Sequence, residues 1–204
     1  MSNSDTGLQK IDQLARELEQ YTGVSLDQPA KSRALTYLLI DCSGSMGSDR
    51  KFDQAKAGGK EYAAEAIRKG YSVGLIKFET EASLVLEAQT GLAIVGGKID
   101  SIGLGSTTNM ASALNIAVNQ LIKSSGHRVI YLVTDGWPDD RDATFEAAAK
   151  AKRAGIEIMT LGTPPADDEF LKQLATRSEL AVQVETHKLQ EGIKSMANLL
   201  PDRT

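Results

Sequence analysis

Apolar runs of strand length alternate along the chain with stretches in which apolar residues recur at helical spacing. Such alternation is typical of a mainly parallel sheet with helices on both faces. The predicted strands are Leu35–Asp41, Ser72–Phe78, Ala82–Glu87, Arg128–Thr134, Glu157–Leu161 and Ala181–Glu185, and the predicted helices are Lys51–Lys69, Leu92–Ile99, Asn109–Ser124, Asp142–Ala154, Asp167–Leu174 and Leu189–Leu200.

One connection in this pattern is too short for a helix. Only a few polar residues separate Phe78 from Ala82, so the strands on either side form a hairpin. The predicted fold class is therefore α/β, with a doubly wound, mainly parallel sheet, one antiparallel edge strand and helices on both faces.

The N-terminal part of the chain has a different pattern. Apolar residues between Leu8 and Tyr21 recur at helical spacing, which predicts one amphipathic helix. A mostly polar stretch around Pro29 follows and indicates a linker. The predicted organisation is an N-terminal helix (1–24), a linker (25–33), a domain (34–200) and a C-terminal tail (201–204).

Composition narrows the classes of partner. The chain has 204 residues, 41% hydrophobic and 25% charged, with a net charge of −4. Because its lysines and arginines are dispersed, the sequence predicts binding to neither nucleic acid nor an anionic membrane surface. The apolar runs are too short for a membrane helix, and the polar start Met1–Asp5 is unlike a signal peptide. We therefore expect a cytoplasmic protein, and the single cysteine, Cys42, agrees with a reducing compartment.

Hydroxyl and carboxylate side chains follow two of the predicted strands. Asp41 ends the first strand, and Ser43 and Ser45 follow it at two-residue spacing. Asp135 follows the strand that ends at Thr134. Because parallel strands that follow this pattern end at one edge of the sheet, we expect both carboxylates to face one crevice.

A third segment supplies further hydroxyls. The loop from Gly103 to Thr108 is rich in glycine and opens a predicted helix. Ligation by carboxylate, hydroxyl and water suits Mg²⁺, with Mn²⁺ and Ca²⁺ as alternatives. Zinc is disfavoured because His127 and His187 lack clustered histidine or cysteine companions.

The run Asp41-Cys42-Ser43-Gly44-Ser45 resembles the Asp-x-Ser-x-Ser signature of von Willebrand factor type A domains. The threonine loop and the segment Thr134-Asp135-Gly136 follow in the order typical of that family. The resemblance implies a Rossmann-like fold and a metal-ion-dependent adhesion site. In such a site the metal-binding residues would be Ser43, Ser45 and Thr108, with Thr107 as the alternative threonine, and with Asp41 and Asp135 near the cation directly or through water.

The resemblance also implies a function without catalysis. A cation held largely by neutral hydroxyls keeps much of its charge and attracts an Asp or Glu of another protein. The chain is therefore predicted to be an adaptor, a metal-dependent protein–protein interaction module. Family resemblance alone indicates an ATP-driven remodelling or signalling complex as the partner.

Three alternatives compete with this interpretation. In one, the N-terminal helix binds the partner and the metal is purely structural. In another, Ser45 is the nucleophile of a hydrolase, but the first glycine of the nucleophile elbow is missing, and neither His127 nor His187 is expected after a strand at the carboxyl edge. In the third, Asp41 accepts a phosphoryl group, but Ser43 replaces the acid/base aspartate of such phosphatases.

Residues around these motifs have simpler interpretations. Trp137 is either an exposed interface anchor or packed against a loop. Asp139, Asp140 and Asp142 are predicted to serve the turn and the N-terminus of the helix that follows. Residues 49–51 are predicted to form a solvated helix start.

Overall fold

The computed structural model describes residues 33–203, which form one sheet with helices on both faces. The strands are β1 (Ala34–Asp41), β2 (Tyr71–Phe78), β3 (Ala82–Gln89), β4 (Arg128–Thr134), β5 (Glu157–Gly162) and β6 (Ala181–Gln183). The α-helices are α1 (Lys51–Arg68), α2 (Leu92–Ser101), α3 (Met110–Leu121), α4 (Arg141–Arg153), α5 (Asp168–Leu174) and α6 (Leu189–Ser195). Short 3₁₀ helices span Gly44–Arg50, Ser178–Leu180, Thr186–Lys188 and Met196–Leu199.

The six strands lie in the order β3-β2-β1-β4-β5-β6. All neighbouring pairs are parallel except β2 and β3, which form the antiparallel hairpin at the edge. The predicted fold class is therefore confirmed. The predicted N-terminal helix lies outside the described residues, as does nearly all of the linker.

Both faces of the sheet are buried, as a parallel sheet between two helix layers requires. Successive side chains of a strand point to opposite faces, and β1 follows this rule. Leu38 and Ile40 pack in the cluster that includes side chains of α1, α2 and α6. Leu39 packs in the opposite cluster, with side chains of α3, α4 and α5.

Helices α1 and α6 approach each other closely at Gly58. A Cβ atom on Gly58 would lie 2.7 Å from the backbone oxygen of Gln190 and 2.8 Å from Cβ of Ile193. Only glycine therefore allows this helix spacing. The neighbouring Gly59 packs against Leu38 of the sheet, where an added Cβ would lie 3.1 Å from Cδ2.

The element boundaries differ from the predictions in a few places. The helix predicted from Asn109 begins at Met110 because the Asn109 side chain caps it, accepting a hydrogen bond from the Ser112 amide at 3.1 Å. The C-terminal helix is α-helical only to Ser195 and then tightens into a 3₁₀ turn. Within residues 33–203, no helix combines the length and the apolar character that crossing a membrane requires.

Candidate metal centre

The candidate centre lies where the strand order reverses. The chain runs from β1 to β2 on one side and later returns to β4 on the other side of β1. At such a switch point the loops leave in opposite directions and open a crevice at the carboxyl ends of the strands. Asp41 is the last residue of β1, and Asp135 directly follows β4.

The first loop brings two serines to this crevice. The Ser43 amide donates a hydrogen bond to Asp41 Oδ1 at 2.8 Å, which turns the chain back over the strand end. Ser45 Oγ donates to Asp135 Oδ1 at 2.7 Å, joining the β1 and β4 loops. The hydroxyl oxygens of Ser43 and Ser45 lie 3.0 Å apart, within hydrogen-bonding distance.

The threonine loop is held against the first loop by its backbone. The Gly105 amide donates to the Cys42 carbonyl at 2.6 Å, and the Gly44 amide donates to the Ser106 carbonyl at 3.3 Å. Thr108 is buried at the end of this loop, whereas Thr107 is exposed. Of the two threonines, it is Thr108 that the structure brings to the crevice.

Oxygen atoms from two segments lie close to Gly136. A Cβ atom at this position would lie 3.7 Å from Thr108 Oγ1 and 4.0 Å from both Asp41 Oδ2 and Ser45 Oγ. These three oxygens therefore converge on one small region. A side chain at residue 136 would occupy the space beside them.

The Asp41 carboxylate is held in an environment that disfavours its charge. Asp41 is fully buried, and this burial raises the pKa of its carboxyl group to about 6. Hydrogen bonds from Thr134 and Ser43 oppose this rise, and the nearby Asp135 carboxylate adds to it. A cation beside Asp41 would favour the ionised form and so relieve the penalty of burial.

Lys51 contradicts the prediction of a solvated helix start. Its ammonium donates to Asp135 Oδ2 at 2.6 Å, and the two side chains are only 7% and 0% exposed. The preceding residues, Asp49 and Arg50, are exposed as predicted. The prediction was wrong for Lys51 because its pairing depends on a residue 84 positions away in the chain.

The acidic residues after β4 have distinct roles. Asp140 caps α4 by accepting a hydrogen bond from the Ala143 amide at 2.9 Å, as predicted. Asp139 accepts from the Thr108 amide at 3.1 and 3.2 Å and so positions the threonine loop, a role the sequence pattern did not indicate.

Trp137 is 54% exposed, with the Arg141 guanidinium 5.7 Å from its ring centre.

The donor set suits a small hard cation. In an octahedral shell with metal–oxygen distances of about 2.1 Å, neighbouring ligand oxygens lie about 3.0 Å apart. The Ser43 and Ser45 hydroxyl oxygens already have this separation. Residues 33–203 contain no cluster of three histidine, cysteine or acidic side chains suited to a metal. A cation at the crevice would therefore depend on hydroxyl ligands, as the sequence motif predicts.

The histidines do not complete a hydrolase site around Ser45. His127 lies at the opposite edge of the sheet, where Nδ1 contacts the Tyr71 hydroxyl at 2.6 Å. His187 does follow a strand at the carboxyl edge, contrary to the prediction, because β6 ends at Gln183. Its side chain is 71% exposed and lies 3.5 Å from a Glu185 carboxylate oxygen. The hydrogen-bond partners of Ser45 Oγ are instead Ser43 and Asp135.

Comparison with known proteins relates the chain to one family. The chain matches the sequence model of the von Willebrand factor type A domain over residues 37–195. It is 28% identical over 178 residues to a UPF0353 protein of Mycolicibacterium paratuberculosis, covering 70% of this chain and 52% of that protein. It is 25% identical over 155 residues to Matrilin-1 of Gallus gallus, covering 67% and 29% of the two chains. The chain thus spans about half the length of the first relative and less than a third of the second.

A solved structure supports the fold. The von Willebrand factor domain of the type V pili tip protein Mfa5 from Porphyromonas gingivalis superposes with a TM-score of 0.75 at 15% sequence identity. The match covers 83% of this chain and 95% of that domain. Similarity at this level of identity extends to the fold alone.

Proposed function

The chain belongs to the von Willebrand factor type A domain family, and from this premise we propose that it is a metal-dependent protein-interaction module. It binds Mg²⁺ at the carboxyl edge of the sheet and presents the ion to an acidic side chain of a partner protein. The observation that carries the proposal is that oxygens of Asp41 and Ser45, at the end of β1 and in the loop after it, lie beside Gly136 together with the Thr108 hydroxyl of a separate loop.

The residues that would hold the cation differ in charge. Ser43, Ser45 and Thr108 offer neutral hydroxyls, and Asp41 and Asp135 offer carboxylates directly or through water. When bound, the cation would supply a Lewis-acidic position for an incoming carboxylate. The tight backbone contacts among the loops would keep the protein's own oxygens in place while that position exchanges.

Charge favours an acidic partner. Within residues 33–203, the buried charged side chains at this edge are Asp41, Asp135 and Lys51, with a formal charge of −1. A divalent cation would change the sign to +1. One carboxylate from a partner would then neutralise the site, which is why we propose a partner Asp or Glu. From the family resemblance we also propose that the partner belongs to an ATP-driven remodelling or signalling complex in the cytoplasm.

Metal binding is tested first on the protein alone. Titration calorimetry with Mg²⁺, and electron paramagnetic resonance with Mn²⁺, would give one site per chain in the wild type. Ser43→Ala with Ser45→Ala would abolish that binding and leave the fold intact, as judged by circular dichroism. Unchanged affinity in the double variant would contradict the proposed ligands.

Partner recognition is tested by affinity purification from the native cell in Mg²⁺ and again in a chelator. A partner of this site is retained by the wild type in Mg²⁺, lost in the chelator and lost with Asp41→Ala. Asp53→Ala removes an exposed carboxylate of α1, 69% exposed, and is the matched control that keeps the partner. Identical protein sets in all samples would refute metal-dependent recognition.

A further inference from the structure

Lys51 occupies a position that disfavours a lysine. It is the first residue of α1, where the helix dipole is positive and repels a cation. Its side chain is also only 7% exposed, so its ammonium has lost most of its water. What offsets both effects is the Asp135 carboxylate at 2.6 Å. The charge of Lys51 therefore belongs to the candidate metal centre.

The backbone before Lys51 makes a tight turn that places this side chain beside the first loop. Asp49 and Arg50 have φ angles of 52° and 57°, in the left-handed region that residues with side chains rarely adopt. The turn brings the start of α1 back over the first loop, where Lys51 Nζ also lies 3.4 Å from the Ser45 carbonyl oxygen.

The Asp135 carboxylate that binds Lys51 also binds Ser45 of the first loop. Asp135 Oδ1 accepts from Ser45 and Oδ2 accepts from Lys51. A divalent cation held by Ser45 and Asp135 would therefore lie close to the ammonium. The two positive charges would repel each other in a region with little water to screen them.

We propose that the positive charge of Lys51 weakens metal binding and strengthens the attraction between the bound metal and a carboxylate of a partner. The inference rests on the proposed function and deepens it. With Lys51, the metal-loaded site carries a formal charge of +1 and attracts an anion. Without Lys51, two carboxylates neutralise the divalent cation, and the attraction falls.

The first test measures the affinity of the protein for the metal alone. Lys51→Gln is expected to bind Mn²⁺ tighter by on the order of tenfold, since it removes one like charge at short range. Lys51→Arg keeps the charge and stays closer to the wild type than Lys51→Gln. Lys123→Gln removes an exposed lysine after α3, toward the opposite edge of the sheet, and leaves the affinity unchanged. Equal or weaker Mn²⁺ binding by Lys51→Gln overturns the proposal.

The second test measures how tightly the metal-loaded protein binds a carboxylate. Acetate added to the Mn²⁺-loaded protein displaces metal-bound water, which lowers the water-proton relaxation rate. Lys51→Gln is expected to bind acetate more weakly than the wild type while it binds Mn²⁺ more tightly. A lysine with only a structural role would not move the two affinities in opposite directions, so a parallel change contradicts the proposal.

Two further results keep this inference separate from the proposed function. A wild type without a Mn²⁺ site refutes the proposed function itself, whereas a wild type with a site and a Lys51→Gln variant that binds no tighter refutes only the role of Lys51. If Lys51→Gln does not fold, the wild type is titrated with Mg²⁺ and its ¹⁵N-labelled lysine ammonium signals are followed. A larger shift for Lys51 than for Lys123 supports the proposal, and equal shifts overturn it.

Discussion

Thr134 donates a hydrogen bond from Oγ1 to Asp41 Oδ2 at 2.5 Å, linking the last residue of β4 to the last residue of β1. Both residues are fully buried. The other carboxylate oxygen of Asp41 accepts from the Ser43 amide. Asp41 is thus oriented from both sides of the switch point by the protein itself.

This contact predicts the effect of Thr134→Val, which removes the hydroxyl at nearly constant volume. The Asp41 carboxylate loses a buried donor, so we expect the free energy of unfolding to fall by about 1–3 kcal/mol. Urea denaturation without added metal measures the change. Thr107→Val, at an exposed position, is the control and should leave stability within about 0.5 kcal/mol of the wild type.

The two threonines before α3 offer a matched pair. Thr108 is buried with its hydroxyl facing the crevice, whereas Thr107 is exposed. Thr108→Ala is therefore expected to weaken Mg²⁺ binding by at least about tenfold, and Thr107→Ala to leave it unchanged. Titration calorimetry on both variants checks this, and the reverse order of affinities would transfer the ligand role to Thr107.

A second matched pair tests the packing of α6 on α1. Gly58→Ala places a Cβ atom 2.7 Å from the Gln190 carbonyl oxygen, so we expect a loss of about 1–3 kcal/mol in stability. Gly97, in α2, has open space at the same position. Gly97→Ala should therefore stabilise the protein by about 0.5–1 kcal/mol through helix propensity. Thermal or urea denaturation separates the two, and similar effects of both variants would contradict the close approach.

The cysteine beside the candidate ligands is expected to be unreactive. Cys42 is fully buried, and burial raises the pKa of its thiol to about 12, with a further increase from Asp41. Since the thiolate is the reactive form, a disulfide reagent should label Cys42 only as fast as the folded protein opens around it. Rapid labelling of the native protein would contradict this environment. Because Cys42 is the only cysteine of the chain, labelling in urea calibrates the full signal.

Periodicity predicted the strands and helices because both depend on local pattern. The run from Leu35 to Asp41 alternates side chains between two buried faces, and the stripe from Leu189 to Leu200 is buried as expected. The exact helix ends depend on capping and on tertiary contacts. Asn109 illustrates capping, since the pattern predicted it as the first residue of the helix and its side chain caps the helix instead.

The sequence also predicted which residues of the candidate site come together, because Asp41 and Asp135 each lie at the end of a recognisable strand. It did not predict Lys51 or Asp139. Both act on residues that are distant in the chain, Lys51 on Asp135 and Asp139 on the amide of Thr108. A lysine at a helix N-terminus was the available signal for the first, since the helix dipole disfavours it there.

We propose that oxygens of Ser43, Ser45, Thr108, Asp41 and Asp135 surround one cation. Anomalous X-ray diffraction from crystals grown with Mn²⁺ would locate it. We expect one strong anomalous peak beside Gly136, within bonding distance of the two serine hydroxyls, with Thr108 and the two carboxylates around it. No peak at this position, or a peak bound elsewhere while these side chains keep their present hydrogen bonds, would contradict it.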